Sequence, residues 1–185
     1  PGRSTDTVRF TPFIYGTNAN KWEPGAKNPP LYKVMLFTRR DGAYREYMPL
    51  KIGFGKTELV DGRLTRFDKE LKLVKAGYNA AADRKTTLAE LKTLKAKGNN
   101  TICPDYPQPG WFYDLCDELG LYVIDCANIN APEKRDDRKV GGTPSNDPSL
   151  ADEYLERVKA MYYRSRNHSC VIAFALGGES GNGYN

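Results

Sequence analysis

The stretch Ser169-Cys-Val-Ile-Ala-Phe-Ala-Leu-Gly-Gly-Glu179-Ser-Gly-Asn-Gly-Tyr184 decides how the rest of the chain is read. The six residues from Val171 to Leu176 are all apolar, a run of strand length that fits a strand covered on both faces rather than one of alternating exposure. Glycines then interrupt it: Gly177, Gly178, Gly181 and Gly183 let the backbone turn sharply, and they surround a single carboxylate, Glu179. A charge at the carboxyl end of a buried parallel strand stands where α/β barrels carry their chemistry. A strand followed by a solvated polar turn is the plainer reading of the same residues.

Working outward from this strand, the preceding residues repeat one rhythm. Leu150, Tyr154, Val158, Met161 and Tyr162 line one face of a helix that starts near Pro148, with Glu153–Arg157 and Glu156–Lys159 as outward ion pairs. Before it, residues 130–148 form a long excursion rich in Pro, Gly and Asp, and Leu121–Asp125 reads as a strand. Further back, Phe112, Leu115, Cys116 and Leu119 mark a helix ending at Gly120, and Thr101–Cys103 a short strand. Leu88, Leu91 and Leu94 mark a helix stopping at Gly98, and Leu71–Asn79 another strand. Strand and helix alternate through four strands, which predicts a parallel βα architecture with right-handed crossovers. Four strands are too few to close an eight-stranded barrel, so the fourth leaves an edge that needs covering, and the chain by itself is expected to aggregate or pair with another copy.

Residues 1–55 differ in kind. Val8, Phe10 and Pro12 alternate briefly, and two aromatic and apolar runs, Leu31–Phe37 and Tyr44–Leu50, flank Arg39-Arg40-Asp41-Gly42, a strong hairpin signal. A second Asp-Gly, Asp61-Gly62, joins Lys56–Val60 to Leu64–Phe67. This part reads as a piece of a small antiparallel domain, and the Pro1 start suggests an upstream segment.

Composition narrows the function classes. The 185 residues carry a formal charge of +5, with a sequence pI near 9.0 and a mean hydropathy of −0.64. The basic residues are dispersed, and Lys134-Arg135 is followed at once by Asp136-Asp137, so nucleic acid is not an expected partner. No apolar run approaches the roughly 18 residues of a membrane span. The sequence points to a soluble protein, cytoplasmic or periplasmic if bacterial. Cys103, Cys116, Cys126 and Cys170 lack a short metal-ligand spacing, and His168 is the one histidine, so the thiols are expected to be buried and His168 to be structural. Asn99-Asn100-Thr101 and Asn167-His168-Ser169 match a glycosylation sequon, too short a pattern to imply secretion.

Several stretches in order carry a resemblance. Trp111-Phe-Tyr-Asp-Leu-Cys-Asp-Glu-Leu-Gly-Leu-Tyr-Val-Ile-Asp125, Ala127-Asn128-Ile129, Arg166-Asn167-His168, and Leu176-Gly177 with Glu179-Ser180-Gly181 and Gly183 resemble the β-galactosidase and β-glucuronidase family of glycoside hydrolases, family 2. The segment Trp22–Phe54, with Asn28-Pro-Pro-Leu-Tyr32 and Ile52-Gly53-Phe54, is similar to the end of that family's immunoglobulin-like domain. The resemblance implies an α/β fold: a partial (β/α)8 TIM barrel of four βα units (residues 56–185), preceded by part of an all-β immunoglobulin-like sandwich (residues 1–55). It implies a retaining hydrolase of O-glycosidic bonds in a β-galactoside or β-glucuronide, with Glu179 as general acid/base. Its nucleophile lies on a later strand, outside this chain, which would leave these 185 residues inactive alone. Asp105, Tyr106, Trp111, Asp125 and Asn128 are the candidate sugar contacts.

The chain departs from the family at the site. Gly178 replaces the asparagine before the acid/base, and Cys126 an acidic residue. Asn130 and Pro132 fall where the family's glutamate and histidine help hold Mg2+, so no metal ligand is assigned, although the resemblance allows that ion. Asn79-Ala80-Ala81-Ala82-Asp83 lacks the expected histidine, and Cys103-Pro104-Asp105-Tyr106-Pro107 stands for a longer basic motif. A catalytically degenerate carbohydrate-binding or structural homologue is therefore the alternative to a hydrolase.

Overall fold

The computed structural model describes residues 5, 7–9, 11, 20–25, 28–134, 136–137, 139, 142–181 and 183–184, so Phe10 and Pro12 of the brief N-terminal alternation lie outside the described residues. Strands β1 (Tyr32–Arg40) and β2 (Ala43–Ile52) pair antiparallel from Tyr32↔Ile52 to Arg40↔Ala43, with a bulge between Thr38 and Arg39. Asp41 and Gly42 close this hairpin with φ of 52° and 78°, the double left-handed turn that matches strand twist. Asp61 and Gly62 repeat that turn (φ 49° and 75°) between β3 (Thr57–Val60) and β4 (Arg63–Arg66). Phe67 is not a strand residue as expected; with Asp68 it turns through positive φ into a short β5 (Lys69–Glu70).

A four-stranded sheet follows, built from β6 (Lys75–Gly77), β7 (Thr101–Cys103), β8 (Tyr122–Cys126) and β9 (Val171–Ala175), every neighbouring pair parallel and in chain order. The crossovers carry α1 (Arg84–Ala96), α2 (Gly110–Leu119) and α3 (Ala151–Ser165). Asp83 caps α1 by accepting from the Thr86 amide at 2.9 Å, and Gly120, left-handed at φ 66°, ends α2. This is the first half of a (β/α)8 barrel, preceded by antiparallel strands of a partial sandwich.

Three expectations shift in detail. The strand expected over Leu71–Asn79 contracts to β6 because the Asn100 side chain takes the place of a ladder partner, accepting from the Val74 amide and donating to the Lys72 carbonyl, both at 2.8 Å. Pro148 opens a single 3-10 turn, Pro148–Leu150, and α3 begins only at Ala151. The apolar run at Val171 is less enclosed than its composition suggests: within β9 only Ile172 is buried, and Leu176 is 66% exposed just beyond it. β9 is an edge, and no strand pairs with its outer side among the described residues.

Phe112, Tyr113, Leu115 and Cys116 of α2 pack with Leu91, Ile102, Tyr122, Val123, Cys170 and Ile172 to form the core. Trp22, from the N-terminal part, joins this core. Its indole donates to the Asp117 carbonyl at 2.9 Å and its amide to the Phe54 carbonyl at 2.8 Å. Over Trp22 lies Arg66, 4% exposed, with its guanidinium 5.0 Å from the Trp22 ring. Arg66 donates to the carbonyls of Trp22 and Ser169 and to the Thr57 hydroxyl, and burial lowers its pKa. Asp117 is buried too. Its carboxylate accepts from the Cys170 amide and contacts His168 Nδ1, both at 2.7 Å, fastening α2 to the start of β9. A smaller cluster of Ala127, Ile129 and Met161 packs with Tyr154, Val158 and Phe174 on the α3 side. The predicted outward pairs of α3 both form: Glu153–Arg157, and Glu156–Lys159 at 2.8 Å.

Asp117→Ala leaves the Cys170 amide and the His168 ring without their buried acceptor, and should cost about 3 kcal/mol in urea unfolding. The open edge of β9 predicts that the isolated 185-residue chain self-associates in sedimentation velocity as its concentration rises. A concentration-independent monomer would contradict this.

Candidate active site

The carboxyl ends of the four parallel strands point the same way, and their following loops form two hydrogen-bonded groups. After β6 and β7, Asn79 Nδ2 donates to Asp105 at 2.9 Å while the Asp105 amide donates back to Asn79 Oδ1 at 3.0 Å. Gln108 locks this pair: its Nε2 donates to Asn79 Oδ1 at 3.2 Å and to the Tyr106 carbonyl at 2.6 Å, and its Oε1 accepts from the Ala80 amide at 2.7 Å. Tyr106 is 46% exposed. After β8 and β9, the Ala127 amide donates to the Ala175 carbonyl and the Gly178 amide to the Ile129 carbonyl, each at 3.0 Å, and Asn130 pairs with Gly178 in a parallel bridge. Glu179 follows directly. It is exposed, and its backbone is left-handed at φ 47°, a conformation that a residue with a Cβ adopts only when its surroundings impose it. A Cβ at Gly178 would meet nothing within 4 Å, so the position before Glu179 has room for a side chain.

Two sequence candidates are placed away from these loop ends. Asp125 is wholly buried, because strand alternation sends it between the sheet and the helices. It accepts from Tyr113 at 2.7 Å, from Ser165 at 2.5 Å, from Arg164 at 3.1 Å and from the Cys126 amide at 3.0 Å. It is an organising carboxylate, not a surface for sugar. Trp111 is partly buried against the core and belongs to packing. Asn128 is exposed beside Ile129, its carbonyl held by Arg157 at 2.7 Å, and Asp105 is exposed in the first group of loops. Sequence reading missed Gln108, Tyr113, Arg164 and Ser165. The partners of Asp125 lie 12, 39 and 40 positions away in the chain, so no local pattern announces them. Burial, and next to it the Asp125 carboxylate, pushes the Tyr113 phenol well up and keeps it a proton donor.

Residues 77–185, more than half of the chain, match the profile described as "Glycosyl hydrolases family 2, TIM barrel domain". The chain belongs to glycoside hydrolase family 2. Among curated relatives, it is 33% identical over 172 residues to a β-galactosidase of Lactobacillus delbrueckii subsp. bulgaricus, covering 84% of this chain and 17% of that protein. It is 33% identical over 180 residues to one from Pectobacterium atrosepticum, covering 91% and 16%. The chain thus spans about a sixth of the length of these relatives. In fold it is similar to a β-glucuronidase from Ruminococcus gnavus solved with D-glucaro 1,5-lactone, at TM-score 0.71 and 21% identity over 86% of this chain and 28% of the other. It is similar also to the exo-chitosanase CsxA of Amycolatopsis orientalis, at TM-score 0.68 and 22% identity over 84% and 19%.

The Mg2+ that family 2 suggests does not fit the donor set here. Pro132 has no side-chain ligand atom, and the Cys126 thiol is soft and held protonated by burial. Asn130 Oδ1, buried and without a hydrogen-bond partner among the described residues, is a neutral oxygen and leaves Glu179 the one carboxylate of the set. Asp117, His168 and Cys170 bring their ligand atoms within 4.8 Å of one another, but Asp117 already serves the other two and burial raises the Cys170 thiol far above its ordinary value. All four cysteines are free thiols; Cys116, Cys126 and Cys170 are buried, and Cys103 is half-buried.

Tyr113 donates to Asp125 and accepts from the Gln108 amide at 3.2 Å and from Arg164 at 3.0 Å. Tyr113→Phe should lose roughly 2 kcal/mol in urea unfolding, whereas Tyr106→Phe at the exposed ring should stay within about 0.5 kcal/mol.

Proposed function

We propose that this chain is the acid/base half of a retaining β-glycosidase that cleaves a β-galactoside or β-glucuronide. The observation that carries the reading is the position of Glu179: an exposed carboxylate at the carboxyl end of β9, in a barrel of family 2. In this scheme Glu179 protonates the glycosidic oxygen as the bond to the anomeric carbon breaks. It then takes a proton from the water that releases the sugar from the enzyme. The attacking carboxylate must stand about 5 Å away, and it would come from a strand beyond β9. Asp105, Tyr106 and Asn128 remain the proposed sugar contacts on the neighbouring loops, with Tyr106 offering its ring face. The domain division goes with this reading: residues 1–55 belong to the immunoglobulin-like part and 56–185 to the barrel, a split supported by the separate β1–β2 hairpin.

A degenerate homologue is the second reading, and Gly178, Cys126, Asn130 and Pro132 favour it, because each removes a polar or acidic group from around Glu179. Hydrolysis of aryl β-galactosides and β-glucuronides separates the two. A polypeptide that continues this chain into a full barrel should turn over one of these substrates, and Glu179→Gln should lower kcat/KM by about 10²- to 10⁴-fold. The 185-residue chain alone should show no turnover above background. Undiminished activity of the Glu179→Gln variant would remove Glu179 from the role, and an inert full barrel would favour the degenerate homologue.

A further inference from the structure

The excursion between β8 and α3 closes back onto the loop that carries Glu179. Ser145, 4% exposed in the 3-10 turn Pro144–Asn146, donates its hydroxyl to the Ser180 carbonyl, in the Ser180–Gly181 peptide unit one residue beyond Glu179. With that hydroxyl committed as donor, the Tyr154 phenol of α3, 3.2 Å away, is the donor to Ser145 Oγ, giving a chain from the helix through Ser145 to the Glu179 loop. The two backbones are in close contact as well. A Cβ on Gly183 would overlap the Ser145 carbonyl, and a Cβ on Gly181, left-handed at φ 78°, would lie 2.8 Å from Thr143 Cγ2. The excursion is itself braced, since Asn146 Nδ2 donates to the Lys139 carbonyl at 2.8 Å.

A left-handed glutamate in a glycine-rich loop keeps that conformation only if its surroundings fix it. We infer that Ser145 is a positioning residue for Glu179: its hydroxyl, backed by Tyr154, fixes the Ser180 peptide and so sets the direction of the Glu179 carboxyl toward a glycosidic oxygen. Ser145 touches no substrate in this role. The inference rests on the acid/base reading of Glu179 for its chemical consequence, but not for the contact itself.

The test therefore has two arms in the full-length protein, comparing wild type with Ser145→Ala and Tyr154→Phe. The second variant removes only the outer hydroxyl, from a half-buried tyrosine, and serves if Ser145→Ala does not fold. The first arm follows amide hydrogen exchange of a peptide spanning 178–181, expected to quicken by about tenfold or more when Ser145 loses its hydroxyl. The second compares kcat/KM for a phenyl glycoside, whose poor leaving group needs a proton, with a 2,4-dinitrophenyl glycoside, which departs without one. Misdirecting the acid should lower the first by about tenfold or more and leave the second within about twofold. Ser145→Thr, which keeps the hydroxyl, should restore the phenyl rate. Quicker exchange in a protein whose wild type hydrolyses neither substrate upholds the contact and removes the glycosidase reading. Unchanged exchange overturns the inference whatever the activity, and an equal loss on both substrates overturns the link to Glu179.

Discussion

The structure depends on a buried carboxylate that serves the barrel. Asp117 sits near the end of α2, and its side chain accepts from the first residues of the β9 segment while its carbonyl receives the Trp22 indole. One residue thereby fixes α2, the start of the edge strand and the N-terminal part against one another. A buried acceptor of this kind is effective because each donor it serves would otherwise be desolvated and unpaired. The Arg66 guanidinium on the other side of Trp22 is accommodated differently. It has no carboxylate within ion-pair distance among the described residues, and neutral carbonyls and three aromatic rings surround it. Its charge is held by dipoles and ring faces, at a desolvation cost that appears as a lowered pKa.

Periodicity made the scaffold readable. The Leu88, Leu91 and Leu94 spacing, the Asp-Gly pairs and the apolar run at Val171 each specify local structure through short-range geometry, and the elements lie where those patterns put them. What the sequence could not convey is which way a strand residue faces when polar groups wait on both sides. Asp125 reads like a strand-end acid, yet the hydroxyls of Tyr113 and Ser165 and the guanidinium of Arg164 draw it into the helix layer. Those partners come from distant turns of two helices. Likewise nothing local to Leu71–Val74 tells that an asparagine in the next unit will satisfy this stretch in place of a strand neighbour. The glycine pattern around Glu179 was legible as a loop, but not the segment it packs against.

The departures from family 2 fall on both halves of the strand-end surface and differ in kind. Asn79, Asp105, Tyr106 and Gln108 form a mutually satisfied group, so the first two loops are ordered without any of the family's basic residues. Around Glu179 the substitutions subtract groups instead: Gly178 leaves room for a side chain, and Asn130 has an oxygen without a partner among the described residues. The first half of the surface is held by its own side-chain hydrogen bonds, while the second presents a glycine and an uncharged amide beside Glu179.

The left-handed backbone at Glu179 sets stability against chemistry at a single position. A residue with a Cβ is disfavoured there by roughly 1–2 kcal/mol relative to glycine, which adopts this conformation freely. Selection for thermal robustness alone would therefore drift this position toward glycine, and toward asparagine next, erasing the carboxylate while improving the fold. A glutamate in such a place, within a loop already rich in glycine, carries a backbone cost that folding does not require of it.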